Sequence, residues 1–563
     1  MGIAARGAKR DTPPSARPNH ARMHAATNSG PGGAIDAAAA ERVGPRACSS
    51  RCAAALALGA LIPFALLVWR FDFLCDDAFI SFRYARNLGR GLGAVYNPGV
   101  HPPVEGYTEF LWVVLLAGAS RLGLSLEVVS RVLSAAAGGL LVVLVVRTCW
   151  RRTAPTPWAL AATAAFVGTL TPLAVWSTGG LATAPFALAC FVVFERLHGE
   201  PGRHHGTGAG LAAAAVVLLR ADGAYWVAVL LGLSLLAAWR SRDACLARAA
   251  GWAVGLSLGT FLLHLGWRWS VYADWLPNTA RTKIGLDAST LARGVRYVAG
   301  YAAEVPSVVL AAALPLAFAR RCLFRPTVIA LATAGATVAY AVAVGGDFMC
   351  FGRFLVPALP FVAVLFSRGA YALEEDGRRG VLVPFTAVLV ALSLLPAWDR
   401  HPVPEAVRRD LAFRHRAPED RFRSEYEQWR FMRDNALHWA VLGRALALHT
   451  QPGDSVVLGA VGAAGYYSDR FVYDRFGLVT RGVRADPDHE LSSPGHDVIA
   501  ERSSFQEFSP TYEWVKVVQS DREVPRYARR APERLERVPL DPDPGFPAGS
   551  VLLLLRSPDA SNP

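Results

Sequence analysis

Between two long apolar segments, residues 76–88 read DDAFISFRYARNL, and after a glycine-rich turn residues 104–108 read VEGYT. Ionised aspartate is costly near hydrocarbon, so an acidic pair at the mouth of a helix bundle indicates a functional site. Asp76 alone could instead cap the following helix, but capping needs one aspartate and leaves Asp77 unexplained. The two carboxylates are therefore the first candidates for catalytic groups.

Apolar runs recur on both sides of this stretch, through the first 400 residues. Of the 563 residues, 53% are apolar, which is typical of a membrane protein. Runs of roughly 16 to 24 such residues cross a hydrocarbon core of about 30 Å. The sequence thus predicts an α-helical polytopic membrane protein. Its eleven predicted spans are residues 53–70, 126–148, 157–176, 180–196, 208–220, 223–239, 249–270, 295–318, 327–344, 353–367 and 380–396.

Basic residues predict the orientation of these spans, because loops rich in arginine and lysine stay in the cytoplasm. If residues 110–118 form an embedded helix and not a crossing, the arginine-rich loops all fall on one side. We therefore expect a multi-pass protein of the plasma (inner) membrane. Its predicted parts are a disordered cytoplasmic N-terminus at 1–50, a transmembrane domain at 51–398 with an external loop at 71–125, and an extracytoplasmic C-terminal domain at 399–563.

The charge and the cysteines exclude other classes of function. Cytoplasmic loops and an arginine-rich N-terminus account for the formal net charge of +13, and no nucleic-acid-binding motif occurs, so no nucleic-acid partner is expected. The eight cysteines lack C-x-x-C spacing and predict no metal site. The need for a divalent metal as a cofactor stays open.

The region after residue 400 has a different composition. Residues 400–450 have helical spacing, and a turn at 451–454 precedes a strand-like segment at 455–459. Residues 472–474 and 551–555 are further strand candidates. A small α/β domain is therefore predicted. The chain contains neither a phosphate-binding G-x-x-x-x-G-K-[ST] loop nor a G-x-S-x-G nucleophile elbow.

Five polar segments interrupt the apolar chain, and the predicted topology places all of them on the external side. Random loop polarity would spread them over both faces. An extracytoplasmic active or binding site formed by loops is therefore expected. The segments are residues 76–77, 177–180, 220–223, 275–279 and 345–353.

Five motifs stand out along the chain. They are DDAFISFRYARNLGRGLGAVYNPG at 76–99, VEGYTEFLW at 104–112, LRADG at 219–223, PNTARTK at 277–283 and GGDFMCFGRFLVPALPFVAVL at 345–365. As a group, they resemble the polyprenyl-phosphate-dependent GT-C glycosyltransferases, in particular the bacterial terminal β-(1→2) arabinofuranosyltransferases. The similarity covers roughly residues 55–400 and recurs at 459–478 and 494–496.

The chain departs from the pattern of these enzymes at two positions. Where Gly-Leu-Glu-Thr is expected, residues 180–183 read Gly-Leu-Ala-Thr, so Ala182 replaces a carboxylate. Residues 220–223 carry Ala221 where proline is usual. These changes bear on the identity of the sugar more than on the fold.

The resemblance implies transfer of a sugar, with arabinofuranose as a candidate, from a polyprenyl-phosphate donor to a cell-envelope glycan or glycolipid acceptor. An inverting transfer needs a carboxylate that takes the proton of the acceptor hydroxyl while the lipid phosphate leaves from the opposite face. By analogy with the leading aspartate of the acidic pair in these enzymes, Asp76 is the expected base, and Asp77 is expected to orient the acceptor. A transporter or flippase for a lipid-linked sugar is the alternative, since buried charges also line substrate paths.

The substrate-binding candidates are cationic groups for the leaving phosphate and polar groups for the sugar. For the cations the alternative is interfacial snorkelling. The candidates are Arg83, Glu105, Tyr107, Arg220, Asp222, Asn278, Lys283, Asp347 and Arg353.

Two of these candidates have open alternatives. Arg83, Arg86 and Arg90 form one stripe of the predicted helix 77–90, which we expect to meet lipid head groups or the donor phosphate. Asp347 is expected either to bind the sugar or to pair with Arg353.

Two cysteines lie next to or within the polar segments. Cys75 precedes the acidic pair, and Cys350 follows Asp347 by three residues. If both loops close over one site, the two thiols should be neighbours, and an oxidising compartment would permit a disulfide. The alternative is that each is a small buried residue in a separate niche.

Overall fold

The computed structural model describes residues 47–199, 204–281, 287–412, 416, 422–483, 500, 505, 507–541 and 546–558. Lys283, most of the predicted N-terminal region and residues 494–496 of the tail lie outside the described residues.

Helices make up most of the chain before residue 450. Those of the bundle and its connections are α1 (Ser50–Arg70), α2 (Asp76–Gly89), α3 (Phe110–Arg121), α4 (Leu126–Arg152), α5 (Pro157–Gly168), α6 (Thr171–Val175), α7 (Thr183–His198), α8 (Gly206–Leu219), α9 (Gly223–Ser241), α10 (Ala244–Tyr272), α11 (Asn278–Arg281), α12 (Ala288–Glu304), α13 (Pro306–Ala313), α14 (Ala319–Cys322), α15 (Arg325–Ala343), α16 (Leu359–Glu375) and α17 (Arg379–Leu394). A 3₁₀ segment, Cys350–Ala358, leads into α16.

Seven helices of the described residues are long and apolar enough to cross a membrane. They are α1, α4, α9, α10, α15, α16 with its preceding 3₁₀ segment, and α17 with its 3₁₀ extension. An eighth candidate is bent by 91° between α12 and the segment Pro306–Phe318. The polytopic helical fold is therefore confirmed, while the number of eleven spans stays a prediction. Helix α3 has 12 residues and thus a length of about 18 Å, too short for a full crossing.

Helix α1 shows why these segments suit a bilayer. It has one face of buried small and aromatic residues, including Ala57 and Phe64. Its opposite face exposes Leu58, Ile62 and Leu66, each by more than 60% of its surface. Large apolar side chains turned away from the protein interior are stable in hydrocarbon and unfavourable in water. The helix therefore packs on the bundle with one face and presents the other to lipid.

The C-terminal domain combines helices with a five-stranded sheet. Its helices are α18 (Glu405–Leu411), α19 (Glu425–His449), α20 (Ala463–Ser468) and α21 (Arg526–Arg529), and its strands are β1 (Ser455–Leu458), β2 (Phe471–Asp474), β3 (Tyr512–Val518), β4 (Leu535–Pro539) and β5 (Val551–Arg556). The sheet order is β2-β1-β3-β5-β4, with β1 parallel to β2 and β3, and β5 antiparallel to β3 and β4. The three predicted strands correspond to β1, β2 and β5 and are confirmed, whereas β3 and β4 were not predicted.

Helix α19 begins at a capping box. The Ser424 side chain accepts a hydrogen bond from Glu427 N, and the Glu427 side chain accepts one from Ser424 N. This reciprocal pair satisfies two of the amide groups that a helix start leaves free. It fixes where α19 starts, so the first turns of α19 lie against the loop before α16.

Candidate active site

A cavity of about 620 Å³ opens among the helices of the bundle. Three of the five predicted polar segments line it, namely residues 220–223, 275–279 and 345–353. Thr108 and Glu109 of the predicted external loop extend the polar wall, and α10 and α15 supply apolar side chains. The structure thus brings distant parts of the chain to one concave site.

Two partly buried ion pairs face this cavity. Arg220 forms a bidentate pair with Asp222, with both N–O distances 2.8 Å, and Arg353 Nε lies 2.7 Å from Asp347 Oδ2. The two guanidinium groups flank one ring, at 5.1 and 5.0 Å from the centroid of Phe354. Of the two alternatives for Asp347, pairing with Arg353 is observed. Two cations are therefore held close together at the cavity wall.

A third arginine was missed by the sequence analysis. Arg268, on α10, lines the cavity and pairs with Glu105, with 2.7 Å between Nε and Oε2. Glu105 is 2% exposed and lies behind Arg268, and Tyr107 bonds the Tyr272 hydroxyl at 3.1 Å. Neither Glu105 nor Tyr107 lines the cavity. Both side chains hold α10 against the loop, and their direct contact with substrate stays a prediction.

Glu109 is the second lining residue that the sequence analysis missed. Its Oε1 accepts a hydrogen bond from Ala182 N at 3.3 Å, and its buried Oε2 has no hydrogen-bond partner among the described residues. Burial raises the pKa of this carboxyl to about 7, although Arg353 and Arg220 act to lower it. A carboxylate thus occupies the space beside Ala182, where the motif pattern had lost one. Two sequence features could have pointed to Glu109: the missing carboxylate at Ala182 and the glutamate in the motif at 104–112.

Asp76 is engaged by the C-terminal domain. Its two carboxylate oxygens accept hydrogen bonds from Ala463 N at 2.8 Å and Gly462 N at 3.1 Å. It does not cap its own helix, because the N-cap of α2 is Cys75. Burial, with the nearby charge of Asp77, raises the pKa of Asp76 to about 7 despite these hydrogen bonds. Each oxygen accepts one hydrogen bond from the C-terminal domain, so the orientation of this carboxylate is fixed by the tail.

Asp77 has no hydrogen bond or ion pair with any residue that the structure describes. It does not line the cavity, yet its negative charge raises the pKa of Glu109. It therefore lies within electrostatic reach of the cavity wall. Of the two aspartates, Asp77 is the one whose carboxylate is free to act.

The arginine stripe of α2 contacts the C-terminal domain. Arg83 is 2% exposed and donates hydrogen bonds to the carbonyl oxygens of Gly465 at 2.6 Å and Arg470 at 2.7 Å. Arg86 pairs with Asp469 at 2.6 Å. The tail therefore covers this face of α2 at both arginines, where contact with lipid head groups or donor phosphate had been predicted.

Asn278 also joins the bundle to the tail. Its Nδ2 donates to the carbonyl oxygens of Gly477 and Leu478 at 2.5 and 2.9 Å. Asn278 does not line the cavity, whereas its neighbour Thr279 does. Asn278 therefore helps to dock the tail, and its role in substrate binding stays a prediction. Lys283 lies outside the described residues.

The two loops that carry Cys75 and Cys350 lie side by side. The rings of Phe71 and Phe351 are 5.3 Å apart, and Trp176 Nε1 donates to the carbonyl oxygen of Cys350 at 2.9 Å. Both cysteines are buried and unbridged. The predicted approach of the loops is therefore observed without a disulfide. No three His, Cys, Asp or Glu side chains are grouped as a metal site would require in the part of the chain that the structure describes.

Comparison with known proteins places the fold. A family described as a domain of unknown function (DUF8728) matches residues 424–540, a minority of the chain. No curated protein matches significantly. ArnT from Cupriavidus metallidurans bound to undecaprenyl phosphate aligns with 91% of this chain and 99% of its own length, at a TM-score of 0.52 and 13% identity. The apo state of the same protein aligns with 89% of this chain and 99% of its own, at 0.52 and 14%. At such identities the similarity concerns the fold alone, and the chain has an ArnT-like fold.

Proposed function

We propose that this protein is a membrane glycosyltransferase that moves a sugar from a polyprenyl-phosphate donor to a cell-envelope glycan or glycolipid on the external face. The observation that carries the proposal is the pair of guanidinium groups, Arg220 and Arg353, which flank Phe354 in the same cavity as the half-partnered carboxyl of Glu109. Paired arginines suit a phosphate, and a carboxyl oxygen suits a sugar hydroxyl. The fold similarity to a protein crystallised with undecaprenyl phosphate supports a lipid phosphate as ligand.

The cavity has room for both parts of such a donor. Phe261 and Leu265 of α10 line its apolar side, and Trp275 and Leu276 at its edge are about half exposed, at 52% and 49%. Helix α10 is itself a candidate membrane span. We place the isoprenoid chain along this apolar side and the phosphate between Arg220 and Arg353. The charge of the leaving phosphate is then stabilised by groups already fixed in place.

The base in this proposal is Asp77. An inverting transfer needs an ionised carboxylate with a free oxygen near the attacking hydroxyl. Asp76 has both oxygens bonded to the tail, so we revise the expected order within the pair. Asp76 fixes the start of α2 to the C-terminal domain, and Asp77, the next residue, takes the proton of the acceptor hydroxyl.

The sugar is proposed to contact Glu109. Arabinofuranose is the candidate from the motif resemblance, with the departure at Ala182 as the main difference. With its pKa raised to about 7, the Glu109 carboxyl is half protonated near neutral pH and can donate or accept a hydrogen bond. Either form holds a ring hydroxyl in the cavity.

The topology of the proposal can be tested with one native and one new cysteine. Gln451 is exposed in the C-terminal domain, and Cys245 is the exposed cysteine at the start of α10, beside the arginine-rich loop. In Gln451→Cys, a membrane-impermeant maleimide should label position 451 in intact cells and Cys245 only after lysis. The reverse labelling pattern would place the C-terminal domain in the cytoplasm and contradict an external active site. Gly495, an obvious alternative position, lies outside the described residues.

Moving the carboxylate tests the role of Glu109. Glu109→Ala should lower sugar transfer about 10- to 100-fold, as expected for loss of a hydrogen bond from a charged or strongly polar group. Affinity for sugar-free undecaprenyl phosphate should be unchanged. In Glu109→Ala with Ala182→Glu, the carboxylate returns from the neighbouring position, and transfer should recover by several fold.

The two single variants serve as controls for this exchange. Ala182→Glu alone should impair transfer, because two carboxylates would then compete for one space. If the double variant is no more active than Glu109→Ala, a carboxylate at this position does not bind the sugar.

The reaction itself is tested with purified protein in lipid and a panel of polyprenyl-phosphate pentoses and hexoses. Transfer from one donor to a glycan acceptor is the expected result. If donors bind and cross the bilayer without turnover, the transporter or flippase alternative replaces the enzyme.

A further inference from the structure

The turn before Arg353 has an unusual backbone. Phe351 has φ +49° and Gly352 has φ +58°, both in the left-handed region. Phe351 is not glycine, so its conformation needs support from its surroundings. At Gly352, an added Cβ would lie 2.4 Å from a ring carbon of Tyr301, so only glycine fits. The next residue is Arg353, whose guanidinium faces the cavity. The direction of this side chain is therefore set by the turn.

Glu425, in the first turn of α19, holds this backbone. It is 6% exposed, and its Oε2 accepts hydrogen bonds from the amide of Phe351 and from Arg416 Nη2, the latter at 2.9 Å. Arg416 also donates to the carbonyl oxygen of Met349 at 3.2 Å. A buried carboxylate in contact with an amide and a guanidinium is strongly oriented. Glu425 thus fixes the strained residue from the C-terminal domain.

The same face of α19 contacts two more backbone groups of the turn. Gln428 Nε2 donates to the carbonyl oxygen of Phe348 at 2.9 Å, and the amide of Cys350 approaches Met432 Sδ at 3.4 Å. Glu425, Gln428 and Met432 are three and four residues apart, which puts them on one side of the helix. Three residues of the turn, at positions 348, 350 and 351, are therefore held by a single helix of the C-terminal domain.

We infer that Glu425 is a positioning residue: through the turn at 348–352, helix α19 of the C-terminal domain sets Arg353 in the donor-phosphate site. This inference rests on the proposed function for the role of Arg353. Glu425 lies in residues 424–540, the region that matches the family of unknown function. The inference assigns this region a part in forming the active site. The C-terminal domain then contributes to donor binding without touching the donor.

The test measures the affinity of full-length protein in lipid nanodiscs for undecaprenyl phosphate. Glu425→Met keeps the side-chain volume but leaves the Phe351 amide without an acceptor, and affinity should fall about tenfold. Glu425→Gln retains an acceptor oxygen and should stay within about threefold of wild type. Gln428→Met removes a contact of the same turn and should weaken affinity in the same direction, so the proposal remains testable if Glu425→Met does not fold.

A control and a double variant separate positioning from general stability. Asp469→Asn loosens the tail from α2 at the exposed pair with Arg86, away from the turn, and should leave affinity unchanged. Because Glu425 is inferred to act through Arg353, Glu425→Met with Arg353→Ala should bind no worse than Arg353→Ala alone. Additive losses, or an equal loss in Asp469→Asn, would overturn the inference. If Arg353→Ala binds as wild type does, the phosphate role of Arg353 fails instead.

Discussion

Asp77→Asn should lower the turnover of sugar transfer by roughly 10²- to 10⁴-fold, the range for loss of a general base. Its carboxylate has no hydrogen bond or ion pair among the described residues, and its charge acts on Glu109 in the cavity wall. Asparagine keeps the shape but cannot take the proton of the acceptor. The measurement is the single-turnover rate with saturating donor, so that binding does not obscure the chemical step.

The matched control for this prediction is Asp76→Asn. One asparagine oxygen can still accept from Ala463 N or Gly462 N, so we expect a smaller loss of turnover together with lower thermal stability. If Asp76→Asn abolishes turnover at unchanged stability while Asp77→Asn remains active, the leading aspartate is the base and our revision of the pair is wrong.

Arg353→Ala should lower turnover by about 10²- to 10³-fold, the usual effect of removing one preorganised group that stabilises developing charge. The loss should also weaken the binding of undecaprenyl phosphate, because the guanidinium is proposed to contact the phosphate in the ground state too. Arg353→Lys keeps the charge but not the planar fork, so an intermediate loss is expected. Turnover and lipid-phosphate affinity should be measured on the same preparations.

The control for Arg353 is an arginine outside the cavity. Arg90→Ala removes an exposed partner of Asp469, 3.2 Å away, and should leave turnover and affinity unchanged. If Arg353→Ala retains both properties, its pair with Asp347 serves only the fold and the phosphate binds elsewhere. Equal losses in both arginine variants would indicate an effect of net charge instead of a specific site.

The predicted and observed sites differ most on helix α2. The arginine stripe predicted an interfacial helix, and the spacing was read correctly as one face. The partner of that face is the C-terminal domain, with Arg83 bonded to Gly465 and Arg470. An amphipathic pattern reports that a polar face needs polar surroundings. It does not report whether these are head groups, water or backbone carbonyls from a distant segment.

By itself, the sequence determined the features that depend on local composition. Apolar runs predicted a helical polytopic fold because a segment within hydrocarbon must satisfy its own backbone hydrogen bonds, as a helix does. Short apolar segments predicted strands β1, β2 and β5, and the segment at 345–353 predicted the pair of Asp347 with Arg353 as one of two alternatives.

Only the tertiary structure decided which of these groups are free to act. Asp76 is bonded to residues 386 and 387 positions away along the chain, and Glu109 reaches Ala182 across 73 positions. Arg268 lies within an apolar helix, where its sequence context gave no sign of a cavity. Hydrogen-bond partners at such separations depend on how helices pack, and packing is set by the whole bundle at once. The sequence therefore supplied Asp77 and Arg353 as candidates, whereas the packing of the bundle revealed Glu109 and left the Asp77 carboxylate without a hydrogen bond or ion pair among the described residues.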